Sequence, residues 1–278
     1  MPTKDPAACA ALPAERCLIN GEPAAAEDLR VIATTNYGHF TSMQVVDGRV
    51  RGLALHLQRL ERGTRELFDC DLDGERVRRD IRRALADESG AASIRVTVFA
   101  RGLNRERPLS PSQPDLLVIR SAAAPARDAP IRVRSVVYGR ELPRVKHVGT
   151  FALFYHRRLA QQAGYDDALF VDHDGRIAEG TTWNIGFFDD TGVVWPQAPM
   201  LAGVSMQLLD AALRRSGVRC ETRTVLRDEL AGLRGAFATN SGIGCRPIVA
   251  IDRHSFDADV QRLEVVRDAY ESCAWERI

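Results

Sequence analysis

No apolar run in this chain approaches the roughly 20 residues that a membrane-spanning helix requires. Its start, Met1 to Arg16, sets Lys4, Asp5 and Glu15 among alanines and prolines. It lacks the basic opening and unbroken apolar stretch of a secretory signal, so a loose tail is expected over residues 1–16. The six cysteines, Cys9, Cys17, Cys70, Cys220, Cys245 and Cys273, include no Cys-x-x-Cys pair, and the six histidines no His-Glu-x-x-His. Those absences argue against a zinc site, a dithiol redox motif and a metalloprotease, and no metal is expected. Unpatterned cysteines in a long chain fit a reducing compartment, which points to the cytoplasm. A formal net charge of +1 gives no global field to draw nucleic acid or an anionic membrane. No repeat or low-complexity tract stands out.

What remains is ordinary globular composition, 45% hydrophobic and 27% charged over 278 residues, enough for one large domain or two modest ones. Leu18 to Gly21 reads as a short strand and turn. Phe40 to Val46, Asp47-Gly48 and Arg49 to Arg51 read as a hairpin, because Asp-Gly suits a two-residue turn. Leu53, Leu57, Leu60, Thr64 and Leu67 share one face of a helix over Leu53 to Phe68. Gly63 interrupts that helix at a cost of up to about 1 kcal/mol against alanine. A basic helix is expected over Glu75 to Leu85, and strands over Ser93 to Phe99 and Asp115 to Arg120. Small residues and two prolines mark 122–130 as a linker. Beyond it come a strand over Ile131 to Tyr138, a helix over Thr150 to Ala163, two hairpins between Ala168 and Trp195, and a helix over Val204 to Arg215. The last 20 or so residues read as an amphipathic helix. The expected layout is α+β: a small domain over 17–121 and a larger one over 131–278.

Several residues could carry chemistry. Lys146 follows Pro143-Arg144-Val145. A lysine that attacks a carbonyl must be neutral part of the time, which calls for burial or a cationic neighbour. Glu179 ends a strand ahead of Gly180-Thr181-Thr182, where a carboxylate can be held against a ring nitrogen. A phosphate wants backbone N–H donors at a helix start and an arginine. Val204 and Ser205 open a helix, Thr239 to Gly244 form a small-residue turn containing Ser241 and Gly242, and Arg59 lies in His56-Leu57-Gln58-Arg59-Leu60. Taken singly, each reads more readily as a solvated side chain or an ordinary cap or turn.

Taken in order, these segments resemble the class IV aminotransferase superfamily, the enzymes of fold type IV that use pyridoxal 5'-phosphate (PLP). Its members include branched-chain and D-amino-acid aminotransferases, (R)-amine transaminases and aminodeoxychorismate lyase. The resemblance runs from about Leu18 to Ile251 and rests on Phe40 to Val50 with His56 to Leu60, Val145-Lys146-His147, Glu179 to Asn184, Leu201 to Ser205, and Ala238 to Ser241. It implies a two-domain fold type IV enzyme in which Lys146 holds the cofactor as a Schiff base and moves the substrate's proton. Glu179 would face the pyridine nitrogen. Arg59, the backbone of Val204 and Ser205, and Ser241 would grip the phosphate. Phe40, Arg101 and Gly242 would meet the substrate, and the enzyme would be a homodimer acting on a small amino donor and a keto acid.

The expected reaction is amino transfer. A lyase releasing 4-aminobenzoate and pyruvate is the alternative, motivated by the wording around Phe40 and by Arg101 and Arg246 as partners for a second carboxylate. A non-catalytic binding module on the same fold is the third reading. Departures from the family pattern include Thr41 in place of a glutamate, Phe151 in place of a tyrosine, Gly186 in place of an aromatic, Trp195 before Pro196 in place of threonine, and Met206 in place of a basic residue. They argue against a standard branched-chain enzyme.

Overall fold

The computed structural model describes residues 16–86, 89–125, 128–256 and 259–278. The tail expected over 1–16 lies outside the described residues except for Arg16, and so do positions 126 and 127 of the expected linker.

The first lobe is a sheet with helices packed on it. Its strands are β1 (Arg16–Ile19), β2 (Glu22–Pro23), β3 (His39–Val46), β4 (Arg49–Arg51), β5 (Ala91–Phe99) and β6 (Asp115–Ala122). Its helices are α1 (Arg30–Thr35), α2 (Leu53–Phe68) and α3 (Gly74–Leu85). Asp47 and Gly48, both at positive φ, make the β3–β4 turn, as Asp-Gly chemistry requires. Alternation along β3 sends Met43 and Val45 into a core with Leu53, Leu57 and Leu60 of α2, and turns Phe40, Ser42 and Gln44 the other way.

The second lobe contains β7 (Ile131–Val137), α4 (Phe151–Gln162), β8 (Asp167–Val171), β9 (Ile177–Gly180), β10 (Asn184–Phe188), β11 (Gly192–Pro196), α5 (Val204–Arg215), β12 (Arg219–Arg223), β13 (Gly235–Asn240), β14 (Ile243–Ile251), β15 (His254–Ser255) and α6 (Val260–Glu271). Among the described residues, β10, β13, β14, β7, β8 and β9 pair in that order, and β9 pairs back to β10, closing a ring. The closing pair is Glu179 opposite Asn184. Ile131, Val133, Leu169, Ile177, Ile185 and Phe187 belong to the core that fills this barrel.

One expectation is corrected at the chain's far end. The terminal segment is not all helix. After α6 the chain forms β16 (Trp275–Arg277), which pairs antiparallel with β4 and extends the first lobe's sheet. Ile278 beyond it is buried in the first lobe's core. The sheet of the first lobe therefore draws on residues outside 17–121.

Candidate active site

A cavity of about 280 Å³ lies where the two lobes meet, and Lys146 and Glu179 both line it. Phe40, Ser42 and Gln44 come to it from β3, Arg59 from α2, Arg95 from β5, Val204 from the start of α5, and Ser241 and Gly242 from the β13–β14 turn.

Lys146 is placed by main-chain bonds to the first lobe. The Phe40 N–H donates to the Lys146 carbonyl at 2.9 Å, and the Val148 N–H donates to the Gly38 carbonyl at 2.9 Å. Its Nζ lies 5.0 Å from the centre of the Phe40 ring. Burial lowers its amine from the ordinary 10.5 to about 7; the nearby charges of Arg59 and Arg140 push the same way, and Glu179 opposes them. A lysine so placed is neutral for much of the time near neutral pH, which a nucleophilic or proton-moving amine needs.

Glu179 sits at the end of β9, where the barrel closes. The Leu201 N–H donates to its Oε1 at 3.2 Å, and Arg140 Nε lies 3.7 Å from the same oxygen. Burial raises the carboxyl's pKa, and the Arg140 guanidinium pulls it back down. Asn184, opposite Glu179 in the ladder, donates from Nδ2 to the Leu201 carbonyl at 2.8 Å. This fixes the segment leading into α5. Behind the strand, Arg157 donates to Asp167, Thr181 and Thr182, and Trp183 Nε1 donates to Asp167 at 2.9 Å. That cluster ties α4 to the loop between Glu179 and Asn184.

At the other end of the cavity, α5 begins with no side-chain cap at Gly203, so its first amides have no side-chain acceptor there. A Cβ on Gly203 would fall 2.0 Å from Asn184 Oδ1, so only glycine fits. Arg59 donates to the Ala202 carbonyl at 2.8 Å beside this helix start, and burial lowers its pKa to about 10. Ser205 is buried at the second position of α5, with Val204 ahead of it on the cavity wall. The Ser241 turn is held by Asn240, whose Oδ1 accepts from the N–H groups of Gly242 and Ile243 and whose Nδ2 donates to the Thr182 carbonyl.

The structure thus brings Phe40, Arg59, Lys146, Glu179, Val204, Ser241 and Gly242 to one cavity. Arg101 is not among them. It donates to Asp115 at 2.9 Å and also pairs with Asp28, so its charge is already matched away from the cavity. Arg246 is likewise not on the wall; its Nε donates to the Ala129 carbonyl. Sequence reasoning missed Arg95 and Arg140. Arg95 sits opposite Ser42 in the β3–β5 ladder, with its guanidinium 3.5 Å from the centre of the Phe40 ring. Its position two residues along an alternating strand from Ser93 was a usable signal. Arg140, in an irregular loop, gave none. Phe151 is 79% exposed and does not line the cavity, which Thr150, Leu153 and Phe154 do. Gly186 cannot be an aromatic here, because the Phe237 and Trp195 rings fill the space a Cβ would enter.

A family model described as Amino-transferase class IV matches residues 38–251. Probable branched-chain-amino-acid aminotransferases from Rickettsia felis and Rickettsia bellii are each 32% identical over 97 residues, 34% of this chain and 33% and 34% of theirs. The match thus spans about a third of the length of these curated relatives. A branched-chain aminotransferase from Thermoproteus uzoniensis with norvaline superposes with a TM-score of 0.81 at 16% identity, covering 91% of this chain and 92% of that one. A fold IV-transaminase from Curtobacterium pusillum gives 0.73 at 24%, covering 87% and 88%. The PLP-bound form of a hypothetical aminotransferase from Mycobacterium tuberculosis gives 0.76 at 23%, covering 92% and 99%. At these identities the likeness is one of fold.

Proposed function

Because the chain belongs to the class IV aminotransferase family, we propose that it is a PLP-dependent aminotransferase moving an amino group between a small amino donor and a 2-keto acid. The observation that carries this reading is a single cavity holding a buried amine lowered to about 7, one carboxylate and three arginines. The cavity fits the cofactor. The uncapped start of α5 with Arg59 beside it suits a phosphate, Glu179 suits a ring nitrogen, and Lys146 suits an aldehyde. When bound, PLP supplies an electron sink for the substrate's α-carbon.

The chain's own residues divide the remaining work. Lys146 would hold the cofactor and could carry a proton at Nζ to and from the substrate; its lowered pKa puts both protonation states within reach. The Arg140 guanidinium opposes the rise that burial gives the Glu179 carboxyl and so favours the carboxylate, the form able to stabilise positive charge on the ring nitrogen. Arg59, the Val204 and Ser205 amides and Ser241 hold the phosphate. Phe40 walls the substrate side. Arg95 has no acidic partner among the described residues and offers its guanidinium to a substrate carboxylate. Gly242 brings backbone without a side chain to the cavity wall. Small ligands are the expected partners, and a homodimer is the expected assembly. Among the described residues, no helix is long and apolar enough to cross a membrane.

The test is spectroscopic. Full-length protein given PLP should turn yellow, and borohydride should fix the cofactor to Lys146. Lys146→Ala should abolish that adduct, and incubation with an amino donor should yield its keto acid. Protein that keeps no colour once excess PLP has been dialysed away would sink the proposal.

A further inference from the structure

Gly63 stands in the middle of α2, where glycine weakens a helix. Its place is explained by His39. A Cβ at Gly63 would lie 2.6 Å from His39 Nδ1 and within 2.9 Å of two more atoms of the same imidazole. The ring is buried, with Nε2 3.1 Å from Thr64 Oγ1, the next residue of the helix. Nδ1 has no hydrogen-bond partner among the described residues, so the ring is held by fit as much as by bonding. Tyr37 fastens the same segment to the same helix, its hydroxyl donating to the Leu67 carbonyl at 2.9 Å.

The main chain of this segment runs against the Lys146 segment. His39 and His147 face each other in an isolated antiparallel bridge, flanked by the bonds Phe40 N–H to Lys146 carbonyl and Val148 N–H to Gly38 carbonyl. One face of the Tyr37–Phe40 strip thus grips α2 and its edge grips the lysine. Arg59 lies one turn before Gly63, on the same face of α2. The thickness of the His39 ring therefore bears on the distance between the helix that carries Arg59 and the bridged segment that carries Lys146.

We propose that His39 is a positioning residue for Lys146, a spacer seated on Gly63 that fixes where the lysine amine stands relative to Arg59. The inference rests on the proposed tasks of Lys146 and Arg59, but its geometry can be tested on the amine alone.

The sequence offers a clean readout, since Lys146 and Lys4 are its only lysines. Full-length, cofactor-free protein is acetylated with trace acetic anhydride across a pH series. The Lys146 and Lys4 peptides are then quantified by mass spectrometry, Lys4 serving as the internal reference. The wild-type Lys146 midpoint is expected near 7. In His39→Ala and Gly63→Ala the lysine segment loses its fixed place and the amine gains water, so the midpoint should rise by about one pH unit or more. His39→Gln, which can still reach Thr64, should lie between those variants and the wild type. Gly63→Ala adds a better helix former, so it keeps the test open should His39→Ala not fold. A folded Gly63→Ala protein with greater thermal stability and an unchanged midpoint would overturn the proposal, because the glycine would then be only a weak point in a helix. Failure of the wild type to form a borohydride-fixed PLP adduct would strike at the proposed function and leave the labelling result standing.

Discussion

At the residue scale, the site is defined by an imbalance of charge. Lys146, Arg59, Arg95 and Arg140 share one cavity with a single carboxylate, Glu179. Such a cavity is complementary to ligands that bring negative charge, and each cation has a different claim on it. Arg140 is committed to Glu179 and to the Val145 carbonyl, and Arg59 to the start of α5. Arg95, which meets the Phe40 ring and Thr97, is the guanidinium that the proposed function assigns to a substrate. Replacing it with glutamine removes a charge-assisted contact made equally in the ground and transition states, so KM for a carboxylate substrate should rise about 10- to 100-fold with kcat little changed. Steady-state kinetics on carboxylate-bearing donors against simple amines checks this, since an equal loss on both would assign Arg95 a structural role. Little of this was legible in the sequence: the alternation of its strand could have placed Arg95, but an arginine in a loop such as Arg140 looks like any other. Arg101 looked the better candidate because it follows a strand end, yet its charge is absorbed by Asp28 and Asp115, two acids distant in sequence and close in space.

At the scale of elements, the expected helices over Leu53 to Phe68 and Val204 to Arg215 match the observed spans. Both carry strong periodic apolar faces, and Gly217 with φ of +82° lies just beyond the second. The strands adjoining the site were legible for the same reason, with bounds moved by a residue or two. The start of α5 is the element most sensitive to change. In Gly203→Ala the new methyl would collide with Oδ1 of the Asn184 amide, whose Nδ2 donates to the Leu201 carbonyl and thereby holds the loop that reaches Glu179. PLP affinity should fall at least about tenfold, equivalent to one lost hydrogen bond to a charged group, while the far-ultraviolet circular dichroism stays native. Equilibrium titration of absorbance against PLP gives the answer, and unchanged affinity would remove this helix start from the phosphate site.

At the scale of the whole molecule, two buried imidazoles tie stability to pH. Burial lowers His39 from 6.5 to about 4, and burial with the Arg59 and Lys146 charges lowers His56 from 6.5 to about 3. The unfolded chain binds protons at these groups before the folded one does. The stability they confer is therefore complete above pH 6.5 and is lost progressively as pH falls from there, to about 4 for His39 and to about 3 for His56. Each pH unit between the unfolded and folded values is worth about 1.4 kcal/mol, so several kcal/mol are at stake. Urea unfolding at about pH 7 and about pH 4.5 should show that loss, and His39→Gln should flatten its share of the slope. A wild-type unfolding free energy constant across this range would show that the two rings do not stay neutral in the folded state.

The last strand has a consequence for how the molecule is made. Ala54, in the first turn of α2, donates its N–H to the side chain of Glu276 on β16, 222 residues away. The strand was invisible to pattern reading because three residues carry no periodicity and their partner lies near the opposite end of the sequence. During synthesis, the first lobe's sheet waits with β4 as a bare edge until nearly the entire barrel has emerged from the ribosome. Unpaired edges are templates for other chains, and contacts of such long sequence separation form slowly. The two lobes are thus not independent apprentices that fold in turn. The closing of the first sheet is deferred until the second lobe's strands have been made, and nascent or truncated chains that never reach Trp275 are the population most exposed to edge-to-edge aggregation.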